Sequence, residues 1–200
     1  ALYLNAAIEL EQKRFPGKKV KPAGIFYYQI KDPMLNREDL KNPEYPQEEL
    51  LKKLKMDGIA GAEPENLEKL DKNLAAGKSV ESMAIPVKYT AKGTFSSNSK
   101  VAYQNQFETM RNYVNDKAKE IGQEILNGNV NVNPFEKQKE NACAYCPYAS
   151  VCGFDEKIPG YSYRRLHSYT SQEVWEKMRE ALKGGTEHEC FVDPGTKEGH

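Results

Sequence analysis

Asn141-Ala-Cys143-Ala-Tyr-Cys146-Pro147-Tyr-Ala-Ser-Val-Cys152-Gly-Phe-Asp155 carries three of the chain's four cysteines in the spacing C-x2-C-x5-C. Two thiolates separated by two residues reach the same metal, because the turn between them brings both sulfurs together. The third closes over the site from a short loop. Zinc asks for four ligands in a tetrahedron, and a cubane cluster asks for four cysteines, one per iron. Three local thiols therefore leave one ligand to find. Zinc ribbons pair two C-x2-C knuckles a dozen or more residues apart, and this sequence has no second pair. His167 or Cys190 would complete a zinc site only at an unfamiliar interval. A three-plus-one arrangement with a distant fourth cysteine favours an iron–sulfur cluster over zinc. Unliganded thiols, with Cys190 free in a charged tail, are the third reading.

Composition agrees with a soluble protein built around such a site. At 200 residues and 38% hydrophobic, the chain is long enough for one domain with a core, or a domain with a tail. Lys+Arg and Asp+Glu balance at 29 each, so no global field draws the chain to nucleic acid, and any DNA contact must be local. No apolar run approaches the roughly 18 residues of a membrane span, and the N-terminus lacks a basic-then-apolar signal layout. Bunched cysteines without an export signal point to a metal site rather than a secreted disulfide framework. A cytoplasmic protein with no membrane contact is expected.

Outward from the cysteines, helical and extended patterns mix. Phe107, Met110, Val114, Ala118, Ile121 and Ile125 keep to one stripe of a helix over about 103–127, which Gly128 stops, and this stripe is expected to face the core. Ala1 to Phe15 reads as a helix whose apolar face is Leu2, Tyr3, Ala6, Ala7 and Leu10, ended by Pro16-Gly17. That helix has no N-cap candidate, and the chain is expected to start inside an element of something longer. Val20 to Ile30 reads as a mostly buried strand closed by Asp32-Pro33. A short helix is expected over 48–55, a turn or short strand over 56–61, and a helix over 64–76. A strand or hairpin with Gly93 in its turn is expected over 84–95, and a weak helix over 172–182. Roughly the last fifteen residues read as loop or disorder. Tyr161 to Tyr169 interleaves aromatic with basic residues. Packing of the tail onto the cysteine segment is preferred there to stacking on a single strand. Lys18-Lys19 reads as solvated, and Trp175 as a packing residue.

These residues carry a resemblance. Cys143-x2-Cys146-Pro147-Tyr148-x3-Cys152-x-Phe154-Asp155, then Gly160-x2-Tyr163-Arg164-x-Leu166 and Glu173-Val174-x2-Lys177-Met178, resembles the end of the AddB family. These are the B subunits of bacterial AddAB ATP-dependent helicase–nucleases, in the RecB-like group. Pro22-Ala23-Gly24-Ile25-Phe26-Tyr27-Tyr28, Ile30-Lys31-Asp32-Pro33, Asp57-Gly58, Ile125-Leu126-Asn127-Gly128 and Asn133-Pro134 extend it over nearly the whole chain.

The resemblance implies an α/β fold: the C-terminal part of a PD-(D/E)xK, restriction-endonuclease-like nuclease domain over residues 1–140, then an iron–sulfur segment and tail over 141–200. It implies Mg²⁺ in the parent nuclease site, and a 4Fe–4S cluster tied by one cysteine before the nuclease core and three after it. Cys143, Cys146 and Cys152 would be those three, with the first upstream of Ala1. The cluster would staple the nuclease fold. DNA and the AddA helicase–nuclease subunit are the implied partners, and the implied work is trimming double-strand DNA ends for recombinational repair. The family's catalytic Asp and (D/E)xK pair precede a helix carrying Q-x3-Y. Of that motif only the Tyr is present, as Tyr3, expected on the helix face bordering the catalytic site with Leu2 and Ala6 packed inward. The carboxylates that place Mg²⁺ are missing, so the chain alone is expected to be inactive. Asp32 and Asp57 sit in turn contexts and read as turn formers. The rivals are a stand-alone RecB-like exonuclease of the CRISPR-associated type and a non-enzymatic zinc-binding adaptor.

Overall fold

The computed structural model describes residues 1–30, 33–35, 46–138 and 140–184, and its backbone separates into two units, Ala1–Arg111 and Asn112–His200. Asp32, Cys190 and the charged tail lie outside the described residues.

The first unit is built on a mixed three-stranded sheet. β1 (Gly24–Tyr27) pairs antiparallel with β2 (Asp57–Gly61), and β2 pairs parallel with β3 (Val101–Ala102). β1 is far shorter than the extended reading of 20–30 and only half-buried, with Tyr27, Tyr28 and Ile30 exposed. The central strand is the small-residue run Asp57-Gly-Ile-Ala-Gly61. Its Gly58 faces Phe26 at φ +141°, where an added Cβ would overlap the Ile25 carbonyl oxygen. Only a residue without a Cβ lets β1 approach this closely.

α2 (Pro46–Lys53) precedes the central strand, and α3 (Pro64–Leu70) follows it. The helix expected over 64–76 divides at Asp71, whose carboxylate accepts the Asn73 N–H at 3.0 Å and starts a separate 3₁₀ turn, Lys72–Ala76. A short polar side chain has here outcompeted the continuing helix for a backbone donor.

The core joins Ala60, Leu67, Leu74, Ile85, Val87 and Tyr89, with Phe26, Met56 and Val101 packed against it and Tyr89 stacked on Phe95 at 5.0 Å. The span 84–95 is an irregular hairpin with Gly93 at φ +76°, held by isolated bridges rather than a continuous ladder. Its start is fixed by Ser82, fully buried, whose hydroxyl donates to Asp71 Oδ2 at 2.6 Å and accepts the N–H groups of Ala84 and Ile85.

α1 (Leu2–Arg14) corrects the apolar-face reading. Leu2, Tyr3 and Leu10 are 54%, 93% and 60% exposed, Ala6 is exposed too, and the buried position is Asn5. The helix turns Leu4, Asn5 and Ile8 inward, one step round from the expected stripe. The Asn5 amide donates to the Arg111 carbonyl at 3.3 Å, and Arg111 Nε donates to Asn5 Oδ1 at 2.6 Å. A charge-assisted bond anchors this helix where apolar contact was expected.

α4 (Gln104–Leu126) spans the boundary between the units. Phe107 and Met110 are buried, but Ala118 is exposed, and Ile121 and Ile125 are 55% and 69% exposed. The core-facing stripe thus holds for the first turns only.

In the second unit β4 (Phe135–Lys137) is the middle strand of a small sheet. It pairs antiparallel with β5 (Glu140–Asn141) and parallel with β6 (Arg164–Arg165). α5 (Ala149–Cys152) lies in the cysteine segment, and α6 (Ser171–Lys183) follows β6. α6 opens on a capping box in which Thr170 accepts the Glu173 N–H and the Glu173 carboxylate accepts the Thr170 N–H.

Candidate functional site: the cysteine segment

Residues 141–154 form a chain of tight local turns. Asn141 Oδ1 accepts the Cys143 N–H at 3.0 Å, an Asx turn that starts the segment. The Cys146 N–H then donates to the Cys143 carbonyl at 3.2 Å, so the first two cysteines bound a single turn. Pro147 follows, and the four residues of α5 end on Cys152, where Gly153 at φ +65° closes the helix. All three thiols are free of disulfides, with Cys143 and Cys146 half-buried and Cys152 exposed.

Phe154 ties the far end of the segment down. Its ring meets Tyr163 at 4.8 Å and Tyr161 at 5.6 Å between centroids, both edge-on. The Cys143 thiol beside the Tyr163 hydroxyl, with smaller contributions from desolvation and nearby negative charge, pushes the phenol up to about 12. The aromatic residues of 161–169 therefore pack within this unit. His167 meets Tyr169 edge-on at 5.0 Å, and Lys177 lies 4.8 Å over the Tyr169 ring.

The donor set fits an iron–sulfur cluster in kind: three reduced, accessible thiols in one short segment, one fewer than a cubane takes. Among the described residues no three of His, Cys, Asp and Glu are already gathered as a metal-holding group. The Tyr163–Cys143 contact is not legible in the sequence, because nothing in Gly160-x2-Tyr163-Arg164 by itself points at a cysteine twenty residues earlier.

The other expected positions lie in the first unit. Tyr3 projects from α1 into solvent. Asp57 opens β2, where its carboxylate accepts from Lys100 at 2.5 Å and from the Gly58 N–H at 2.7 Å; these bonds hold it below the usual carboxylate range. Beside it runs an open groove lined by Lys55, Met56, Glu81, Val87 and Lys88. Glu81 pairs there with Lys88 at 3.0 Å and Lys55 at 3.2 Å, so the charges of this groove answer one another.

Comparison with known proteins agrees with this architecture. The sequence profile described as the PD-(D/E)XK nuclease superfamily matches residues 1–153. A protein of Lachnoclostridium phytofermentans, named as the B subunit of an ATP-dependent helicase/deoxyribonuclease, is 34% identical across the whole of this chain, which covers 17% of that protein. Proteins of the same name from Thermoanaerobacter sp. and Ruminiclostridium cellulolyticum are 34% and 36% identical over 90% and 89% of the chain, in each case 15% of the relative. The chain thus spans about a sixth of the length of these relatives. No helix among the described residues is long and apolar enough to cross a membrane. With more than three quarters of its length inside the matched profile, this chain belongs to the PD-(D/E)XK nuclease superfamily.

Proposed function

We propose that the chain serves as the closing part of the nuclease domain in the B subunit of an ATP-dependent helicase–deoxyribonuclease. Such a protein would work in the cytoplasm with an AddA-type helicase–nuclease partner, trimming double-strand DNA ends for recombinational repair. The observation that carries this reading is the match of the whole chain, at 34% identity, to a protein of that name. Residues 1–140 would complete the nuclease fold, and 141–200 would form the cysteine segment and its tail.

Within that reading, Cys143, Cys146 and Cys152 are three donors to a 4Fe–4S cluster whose fourth donor lies elsewhere in the parent or at Cys190. The cluster would serve as a structural crosslink. Tyr3, exposed on α1, is the remnant of the motif that borders the cutting site. Mg²⁺ placement and water activation would fall to carboxylates of the parent outside these 200 residues.

The test uses the purified chain on linear duplex and single-stranded DNA with Mg²⁺. The expected result is no cleavage; degradation that persists through repurification overturns the assignment of chemistry to other residues. Iron, sulfide and zinc are measured on protein prepared without oxygen. Iron with matching sulfide supports the cluster, and one zinc per chain supports a zinc-binding adaptor instead.

A further inference from the structure

A run of cations at the end of α1 meets little opposing charge. Between Gln12 and Ile30 stand Lys13, Arg14, Lys18, Lys19 and Lys21, with no Asp or Glu among them. In the groove of the same unit the lysines are neutralised, Lys55 and Lys88 by Glu81 and Lys100 by Asp57. Here Arg14 pairs with Glu11 at 2.6 Å, while Lys13, Lys18, Lys19 and Lys21, all exposed, have no carboxylate partner among the described residues. Lys13 and Arg14 lie in the last turn of α1, where positive charge complements the helix dipole. Lys18, Lys19 and Lys21 lie past that turn, where the dipole no longer accounts for them.

The turn that carries them is held in place. The Lys18 N–H donates to the Phe15 carbonyl at 3.1 Å across Gly17, which takes φ +90°. The Gln12 amide then clamps both sides of Lys19: its Nε2 donates to the Lys18 carbonyl at 2.7 Å, and its Oε1 accepts the Val20 N–H at 3.2 Å. The Phe15 ring, 45% exposed, has Lys18 Nζ 5.6 Å and the Arg14 guanidinium 5.7 Å from its centroid. A ring face attracts cations at this range, so Phe15 offsets part of the repulsion that would spread them.

We propose that the turn Lys18–Lys21, with Lys13 preceding it, is a contact for the phosphate backbone of DNA. Unpaired ammonium groups on a fixed turn bind a polyanion by releasing its condensed counterions. Lysine meets phosphate as a point charge, so the contact positions a strand without reading its bases. Cations and acids balance at 29 each over the chain, so attraction to DNA has to come from a local patch of this kind. The choice of DNA over another polyanion rests on the helicase–nuclease reading; the charged turn itself does not.

The experiment measures binding of the whole 200-residue chain to a short linear duplex without Mg²⁺, by fluorescence anisotropy across a salt series. The variant Lys18→Gln/Lys19→Gln/Lys21→Gln is set against Lys72→Gln/Lys78→Gln/Lys92→Gln, which removes the same charge from other exposed lysines of the unit. The first should lower the slope of log K against log salt by about 2 and the affinity at about 50 mM salt by about a hundredfold, as for lost phosphate contacts at about 0.9 each. The second should bind as wild type does. Phe15→Leu keeps every charge, so the slope should hold while affinity falls by about two- to fivefold, the fold-change of an exposed cation–ring contact. Equal loss in the two triple variants, or none in the first, overturns the assignment of this turn and leaves DNA processing by the parent standing. Binding to phosphatidylserine vesicles by a chain that ignores DNA overturns it as well, since the turn is then a membrane contact. A Phe15→Leu affinity equal to wild type overturns the ring's part in gathering the charges.

Discussion

Replacing Asn5 by alanine tests the least expected anchor of the fold. Asn5 is 5% exposed and makes two bonds with Arg111 of α4: a charge-assisted one at 2.6 Å from the guanidinium Nε, and a longer one at 3.3 Å to the carbonyl. A hydrogen bond to a charged group contributes about 1.5–3 kcal/mol and a neutral one about 0.5–1.5 kcal/mol. Arg111 is only half-buried, so water recovers part of the loss, and the lower ends apply. Asn5→Ala should therefore cost about 2 kcal/mol, a fall in Tm of about 4–8 °C for a chain of this size. The assay is urea unfolding followed by far-ultraviolet circular dichroism, with Arg111→Met and the double variant completing a cycle. Coupling between the two sites should reach about 1 kcal/mol. A loss below about 0.5 kcal/mol, the range of ordinary surface substitutions, together with strict additivity, would refute the idea that this pair anchors α1.

Gly58→Ala should be far more damaging, about 3 kcal/mol or more, because its Cβ meets the Ile25 carbonyl and its φ of +141° suits only glycine; a change within about 1 kcal/mol of wild type, on the scale of ordinary substitutions, would contradict it. Thr170→Ala removes the capping box of α6 and should weaken that helix by about 1 kcal/mol, read as faster amide exchange at Glu173 and Val174; unchanged exchange counts against the cap. Glu81, held below the usual carboxylate range by Lys88 and Lys55, and Asp57, held there by Lys100 and Gly58, add stability that is full above the ordinary carboxylate pKa and is lost as pH falls through their lowered values. Glu81→Gln with Asp57→Asn should flatten the acid limb of the stability curve and its salt dependence, and an acid limb that superimposes on wild type would sink the assignment.

Much of this architecture was legible in the residues. The period of α4, the short β2 over 57–61 and the late helix α6 follow from apolar spacing and turn residues. The misreadings share one cause: periodicity assumes that apolar residues mark the inward face. In α1 the inward position is an asparagine with a cationic partner more than a hundred residues away, and no local pattern announces such a pair. In α4 the apolar stripe continues past the turns that the core covers. Asp71 and Ser82 act through side-chain oxygens that capture backbone N–H groups, so the break after α3 and the buried serine carry no hydrophobic signal. The spacing places the three cysteines in one short segment, which the structure folds as local turns without gathering a metal-holding group among the described residues. The nearness of Tyr163 to Cys143 carries no sequence signal, because it comes through the parallel pairing of β4 with β6.

The short spacing of the three cysteines also fixes what a metal here would do to the unfolded chain. The segment from β4 to β6 is a loop whose ends the backbone already joins, through Arg164 to Pro134 and Leu166 to Glu136, both at 2.8 Å. In the unfolded chain that pairing is gone, and a crosslink among Cys143, Cys146 and Cys152 closes only spans of ten residues or fewer, so it removes comparatively little configurational freedom. The entropy of closure rises with the logarithm of contour length, about 0.6 kcal/mol per doubling. The restraint that a bound metal exerts on the chain as a whole is therefore set by its fourth donor, through the distance along the polymer at which that donor lies.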